Sequence, residues 1–390
     1  MKPQKIAFIT WDGVDSNYLE NLFAPIFFQL KQKYNLDFYI IQFSWISATE
    51  ANKREENIRS LGLHFKYFPI KITRFSGLTK FVQLLGYKSA VQKYIEQHNI
   101  DCIMPRSTMP ALLTLFLNIK NKKLIFDADG LPLAERVEFS GLKTTSFQYK
   151  LLSKIEEKII LAADTVITRS NFASQYLSKK YNKNRNSFTE VVNGKDVDLF
   201  TFSEDNRSLV RKQLGISPNC IVFIYCGSLS EKYRLDEMFS IFKNFQAKHS
   251  DSIFVILTKS NVPNYIANHS NIKLMEVTNK DVPKYLAAAD IGLGLIKETV
   301  SMKAAAAIKY SEYLLCGLPT ILSDIGDVLN ITANQKFVLH FTTKTSETDI
   351  YEFVLQNKSA NRNLISNFAK QYFSITNATN TYYKALCPKK

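Results

Sequence analysis

Short apolar runs bounded by polar turns recur along the chain, and stretches of helical periodicity lie between them. KIAFIT (5–10), LDFYIIQF (36–43) and LHFKYFPI (63–70) read as strands. A helix is predicted from about Tyr18 to Lys33 and an amphipathic one near 78–98. DCIMPRSTMPA (101–111) reads as strand, polar turn and helix, and KLIFDADG (123–130) as a strand ending in a charged loop. SKIEEKIILAADTVITRSNFASQYL (153–177) is helix, strand and helix. The polar stretch at 200–206 interrupts the pattern, which restarts with a helix at 206–214 and strands at 221–230 and 254–259. KLMEVTNKDVPKYLAAADIGLGLIK (273–297) then reads as strand, loop, helix and strand; FVLHF (337–341) is a last strand, and helical patterns at 346–358 and about 360–385 end the chain. Strands alternating with helices predict an α/β protein with parallel sheets, and the restart predicts two Rossmann-like units.

The densest local signal is KAAAAIKYSEYLLCGLPTILSD (303–324). Its alanines, with Ile308, Leu314 and Leu315, predict a helix; Gly317 and Pro319 close it, and Thr320–Leu322 is a short buried strand. Lys309 and Glu312 lie three residues apart, on one helix face. One reading is a surface ion pair worth ~0.3–0.5 kcal/mol. The other is a nucleotide site, with backbone N–H groups at the helix start holding a diphosphate and Glu312 accepting from ribose hydroxyls.

At 390 residues the chain has room for two cores, and 46% hydrophobic with 22% charged residues is ordinary for a folded protein. No apolar run reaches the ~18 residues that span a bilayer, and the five-residue apolar run at the N-terminus is too short for a signal peptide, so a cytoplasmic protein is expected. Five scattered cysteines and five dispersed histidines argue against a disulfide framework or a zinc site. The net charge of +15 is shared between the halves, with 28 Lys and Arg against 19 Asp and Glu in residues 1–200 and 22 against 16 beyond. Such a field favours phosphorylated ligands or an anionic membrane surface. Nucleic acid is disfavoured, because no helix-turn-helix, zinc-finger or RNP pattern appears.

Loops at the carboxyl ends of strands carry the remaining candidates. Asp12, Gly13 and Asp15 follow the first strand, where Gly13 serves either a turn or a cleft; Arg106 follows the fourth strand, and Asp127 and Asp129 the fifth. Asp127-Ala128-Asp129 has the D-x-D spacing of metal-binding motifs, yet with no further ligand pattern the two read as cleft-lining acceptor residues. Lys71, Arg74, Lys80, Lys88 and Lys93, interleaved with Phe75, Leu78, Phe81 and Leu84, form either an ordinary amphipathic helix or a membrane-contacting face.

IKYSEYLLCGLPTILSD resembles the donor-site segment of family 4 glycosyltransferases, in which Lys-x-x-Glu-Tyr-x-x-x-Gly-x-Pro carries the second Glu of an E-x7-E motif. Glu312 matches that second Glu; Ala304 stands where the first is expected. VVNGKDVDLF (191–200) resembles the family's Pro-Asn-Gly-Val-Asp-x-x-x-Phe signature, and Phe126, Asp127, Gly130, Glu135 and Arg136 match its Phe-Asp-x-Arg-Gly region, with Asp129 in place of Arg. YCGSLSEKYRLDEM resembles the Gly-Arg-Leu-Ser-x-Glu-Lys-Gly loop whose Arg and Lys neutralise the donor diphosphate. Ser228 holds the Arg position and Tyr233 the Lys position, which leaves Arg234 first and Lys232 second as the expected cations.

The resemblance implies a GT-B fold, two Rossmann-like domains facing each other across a cleft. It places the acceptor-side domain at 1–203, the donor domain at 204–365, and a helix at 366–390 that crosses back to the first domain. It implies a retaining glycosyltransferase that needs no metal or other cofactor. A nucleotide-diphosphate sugar would be bound by Gly227, Ser228, Val277, Thr278, Val282, Lys309, Tyr310, Ser311 and Glu312, and a glycan or lipid-linked acceptor of surface polysaccharide synthesis would lie opposite. The alternatives are a GT-B nucleotide-sugar epimerase and a non-catalytic GT-B subunit, the latter favoured by Ala304 and Ser228.

Overall fold

In the computed structural model residues 4–14, 16–71 and 76–387 are described, 76–78 for their backbone alone. Asp15, Arg74 and Phe75, and the side chain of Leu78, lie outside them. The chain forms two compact units, Met1–Val192 with Ile375–Lys390, and Asn193–Ser374. The division falls ahead of the 203/204 boundary read from the sequence.

The first unit runs β1 (Gln4–Asp12), α1 (Ala24–Tyr34), β2 (Leu36–Ser44), α2 (Ala48–Ser60), β3 (His64–Pro69), α3 (Ser76–Gly86), α4 (Lys88–Gln97), β4 (Cys102–Pro105) and α5 (Thr108–Thr114). It continues with β5 (Lys123–Asp127), α6 (Pro132–Phe139), α7 (Phe147–Ala162), β6 (Thr165–Thr168), α8 (Asn171–Tyr181) and β7 (Phe188–Glu190). The seven strands are parallel, in the order β3-β2-β1-β4-β5-β6-β7. Strands of this kind are covered on both faces, which is why they read as apolar runs. Phe8, Phe23, Phe27 and Phe38 centre the core, with Phe27 and Phe38 stacked at 4.1 Å.

The second unit runs α9 (Glu204–Leu214), β8 (Ile221–Cys226), α10 (Leu235–Lys248), β9 (Ser252–Leu257), α11 (Asn264–Ala267), β10 (Ile272–Met275), α12 (Val282–Ala288) and β11 (Ile291–Gly294). After these come α13 (Val300–Lys303), α14 (Ile308–Leu315), β12 (Thr320–Leu322), α15 (Val328–Thr332), β13 (Val338–His340), α16 (Glu347–Asn357) and α17 (Arg362–Phe373). Its six strands are also parallel, in the order β10-β9-β8-β11-β12-β13. The predicted terminal helix is interrupted at Ser374: α17 packs on α14 in the second unit, and α18 (Ile375–Leu386) packs on α1 in the first. There Tyr383 stacks on Tyr34 at 3.8 Å, and Tyr34 and Lys33 both donate to the side chain of Asn380.

Two local expectations are corrected. The helix expected at 78–98 is two helices that part at Tyr87, whereas the helix expected after β1 is present and opens with a π-helical turn, Leu19–Phe23. The alanine run is not helical: α13 ends at Lys303 and α14 starts at Ile308. Tertiary contacts override alanine's propensity here. The Ala306 carbonyl accepts from Asn193 Nδ2 at 3.1 Å, and Gly326, at φ +63°, brings its backbone so close that a Cβ would stand 2.3 Å from the Ala305 oxygen.

Candidate functional site

In both sheets the strand order reverses once, between β1 and β4 and between β8 and β11. The carboxyl ends of strands at such a reversal form the crevice where open α/β sheets bind ligands. Most of the sequence candidates lie on the strands and loops around these two places, whereas Val277, Thr278 and Val282 follow β10 at the edge of the second sheet.

In the second unit the crevice is built by α14, and α14 is seated by two tyrosines. Glycines at 292 and 294 let its rings lie directly on β11: a Cβ on either would stand 2.7 Å from Tyr313 or Tyr310. Tyr310 Oη donates to the Gly294 carbonyl at 2.7 Å, and Tyr313 Oη accepts from the Cys226 N–H at 2.8 Å. Burial raises the pKa of both phenols well above the ordinary value, so they stay neutral. Ser311 Oγ bonds the Ile308 carbonyl of its own helix. Tyr310 and Ser311, expected to bind donor, thus have their hydroxyls committed to holding the helix.

The next positions, Lys309 and Glu312, face the crevice residues. Lys309 Nζ lies 2.7 Å from Tyr225 Oη, over the rings of Tyr225 and Tyr233 at 4.1 and 3.6 Å, and 3.1 Å from the place a Cβ on Gly227 would take. Gly227 has φ +136°, open to glycine alone. Tyr225 Oη passes the chain on to the Ser228 carbonyl. Burial pulls the Lys309 amine down from 10.5 to about 7. Glu312 pairs with Lys195 at 2.7 Å, both side chains largely buried. The two charges on α14 are therefore not an ion pair with each other. Ala307, at the start of α14, supplies no side-chain cap to the first N–H groups, so this end of the helix presents donors and a positive dipole end.

The loop after β8 runs beside the loop after β11, with Tyr233 bridging Ile296 and the Lys232 carbonyl accepting from the Lys297 N–H at 2.8 Å. Arg234 stands just before α10, at its N-cap, but its guanidinium makes a two-pronged pair with Glu237 and lies over Phe341. Val277 and Thr278 follow β10, where Thr278 Oγ1 donates to Asp281; Val282 opens α12 and is buried.

In the first unit Arg106 reaches Asp12 (3.4 Å) and Asp129, and Arg169 holds both oxygens of Asp127 at 2.8 and 2.7 Å. Asp127 also accepts from Tyr382 Oη of α18 at 2.9 Å and from the Asp129 N–H at 3.1 Å. Burial opposes the charge on Arg169, but Asp127, Tyr382 and Asp129 outweigh it and its pKa is raised; Arg106 is raised in the same way by Asp129, Asp12 and Asp127. Asp127 is fully buried and serves as the hub, whereas Asp129 keeps 31% of its side chain exposed. Both aspartates of the D-x-D spacing are thus engaged by arginines. Ser107, beside this cluster, is held at φ +66°, ψ −179° by its N–H bond to the Asp127 carbonyl, a conformation costing ~1–3 kcal/mol for a non-glycine residue. Gly13 shows no such need: its φ is not positive, and a Cβ would make only ordinary contact with Trp45. Sequence reasoning missed Lys195, Arg169, Tyr225 and Tyr382, all lying in or next to segments whose pattern was legible.

No protein-family model and no curated protein matches the chain. Solved structures do. A glycosyltransferase from Rickettsia africae matches with a TM-score of 0.70 at 14% identity, over 100% of both chains. Anabaena HepE, crystallised in complex with UDP and glucose, matches at 0.68 and 15%, over 99% of this chain and 100% of that one. WaaG, a glycosyltransferase involved in lipopolysaccharide biosynthesis, matches at 0.66 and 13%, over 98% and 100%. The two parallel α/β units are those of the GT-B fold.

Proposed function

We propose that the chain is a glycosyltransferase that takes a nucleotide-diphosphate sugar on its second unit and passes the sugar, with retained anomeric configuration, to a glycan or lipid-linked acceptor. The observation that carries this reading is the juxtaposition at the β8–β11 reversal of Gly227, Lys309, the start of α14 and Glu312. The first three suit the diphosphate, and Glu312 suits the ribose hydroxyls in exchange for Lys195. UDP-sugar complexes of a structural relative support the donor class.

In the transfer, the bond from the anomeric carbon to the diphosphate oxygen breaks while the acceptor oxygen bonds the same face of that carbon. The acceptor proton passes to the departing phosphate. Fixed positive groups at the diphosphate favour the charge that develops there, and holding donor and acceptor in place supplies much of the rest. No general base and no metal enters this scheme. Arg106 and Asp129, with Gly13 following the Asp12 that Arg106 contacts, form the acceptor side, and Lys232 and Arg234 are further cations on the loop after β8. The site of action is the cytoplasmic side of a membrane, approached through the protein's positive charge in the synthesis of a surface polysaccharide. Among the described residues no helix is long and apolar enough to cross a membrane. The second reading, a non-catalytic subunit, draws on Ala304, which is fully buried and offers no carboxylate.

Thermal stability measured against UDP-, GDP-, ADP- and dTDP-sugars tests the proposal, because a ligand of the folded state raises its stability by mass action. One nucleotide class is expected to raise the melting temperature. Glu312→Gln is expected to weaken that ligand roughly 10- to 100-fold, the range of a lost hydrogen bond to a charged group. No shift with any sugar nucleotide would favour the non-catalytic reading, and an unchanged affinity in Glu312→Gln would remove Glu312 from the site.

A further inference from the structure

Lys309 is the buried charge in the second unit that lacks a counter-ion. Its side chain is enclosed, yet among the described residues no carboxylate pairs with it. Its surroundings are Tyr225 and Cys226 from β8, Tyr233 from the following loop, and Glu312 on its own helix, whose Tyr310 and Tyr313 rings lie on β11. Glu312 is engaged by Lys195, and Lys195 is the other cation near it. Burial raises Tyr225 well above its ordinary range and the Cys226 thiol to about 12, so neither supplies negative charge near neutrality. The aromatic faces attract a cation but do not neutralise it. A buried cation of this kind is costly unless paired. Gly227 also stands against the amine: its φ of +136° and missing Cβ bring backbone, not a side chain, next to Nζ.

We propose that Lys309 is the counter-cation of the donor diphosphate, its ammonium completed by an anion that settles against Gly227 and the start of α14. This rests on the nucleotide-sugar reading and adds to it a linkage between donor binding and protonation. In the free protein the amine is largely neutral above about pH 7. An arriving diphosphate favours the charged form, so binding above that pH takes up a proton. Affinity then falls with rising pH, by up to about tenfold per unit. The same amine makes the free protein's stability depend on pH in a defined direction. Between about 7 and 10.5 the unfolded chain holds a proton there that the folded one lacks. Stability therefore rises with pH through that window, and below it the burial penalty is present in full.

Calorimetric titration with UDP-glucose in buffers of different ionisation enthalpy, at about pH 6 and pH 8, reads the linkage, with uridine as the ligand lacking phosphates. A panel-selected nucleotide sugar replaces UDP-glucose if the base differs. The expected result is uptake approaching one proton at the higher pH, none at the lower, and none with uridine at either. Lys309→Met is expected to bind at least tenfold more weakly, to lose the proton uptake, and to melt higher than wild type in the free state near neutral pH. A merely structural lysine predicts a lower melting temperature instead. If wild type binds the sugar nucleotide without proton uptake and Lys309→Met binds it equally well, the assignment of Lys309 is wrong and the donor reading stands. If wild type binds no sugar nucleotide, both fall together.

Discussion

Asp127→Ala is expected to destabilise the first unit by about 3–5 kcal/mol, the cost of stripping one partner from a buried ion pair. Asp127 has no exposed surface, and its carboxylate receives two bonds from Arg169, one from Tyr382 and one from the Asp129 N–H. Removing it leaves the Arg169 guanidinium, itself 4% exposed, without its main counter-charge, while Nε and Nη1 of that arginine already lack hydrogen-bond partners. It also cuts one of the polar ties between β5 and α18, leaving the bond from Lys123 Nζ to the Leu386 carbonyl, so residues near Tyr382 in α18 should exchange their amide hydrogens faster than in wild type. Asp127→Asn keeps the shape and a bond to Tyr382 but not the charge balance, and should fall between. Denaturant unfolding checks both. A loss below about 1 kcal/mol in Asp127→Ala would mean that the pair is far less desolvated than its burial implies.

Asp290→Ala is expected to cost the second unit a similar ~3–5 kcal/mol. Asp290 stands just before β11, 5% exposed, and is bonded by Arg207 (2.7 Å), Arg211 (2.6 Å) and the Val222 N–H of β8 (2.8 Å). Arg207 and Arg211 also bond carbonyls of residues 287–289 at the end of α12, as does Arg362. Burial pulls Arg362 down to about 10, with Asp290 working against that shift. Three guanidiniums thus gather at a helix carboxyl end, where a positive charge is favoured, around a single aspartate. Without it, like charges are left facing each other, and the register of β8 with β11, which sets the candidate site at their far ends, loses a tie. Urea unfolding of Asp290→Ala should show the loss; a wild-type midpoint would contradict the account of this cluster.

All strands but the three-residue β7 were legible, because parallel strands buried on both faces are nearly continuous apolar runs, as in IVFIYC and FYIIQF. Helix α2 was not, because only Ala51, Arg54 and Ile58 of its thirteen residues are buried and the rest reads as a polar stretch. The alanine run misled for the opposite reason: a strong local propensity yields there to Asn193 and Gly326, whose contacts no window of sequence contains. Lys309 and Glu312 stood out, but their partners did not. Tyr225 and Lys195 lie 84 and 117 positions away, and a pairing over such a distance leaves no local pattern. Arg234 illustrates a signal present and unused, since Glu237 three residues later is its neighbour on the helix.

The central claim is that a sugar nucleotide binds where Gly227, Lys309 and Glu312 converge, and amide hydrogen exchange with and without UDP-glucose, or the nucleotide sugar that the thermal panel selects, tests it most directly. Protection is expected in peptides covering 225–234 and 304–313, and absent when uridine replaces the sugar nucleotide at residues 226–228 and 307–310, where the proposed diphosphate would lie. Protection confined to the Arg106–Asp129 cluster of the first unit, or protection nowhere, would contradict it.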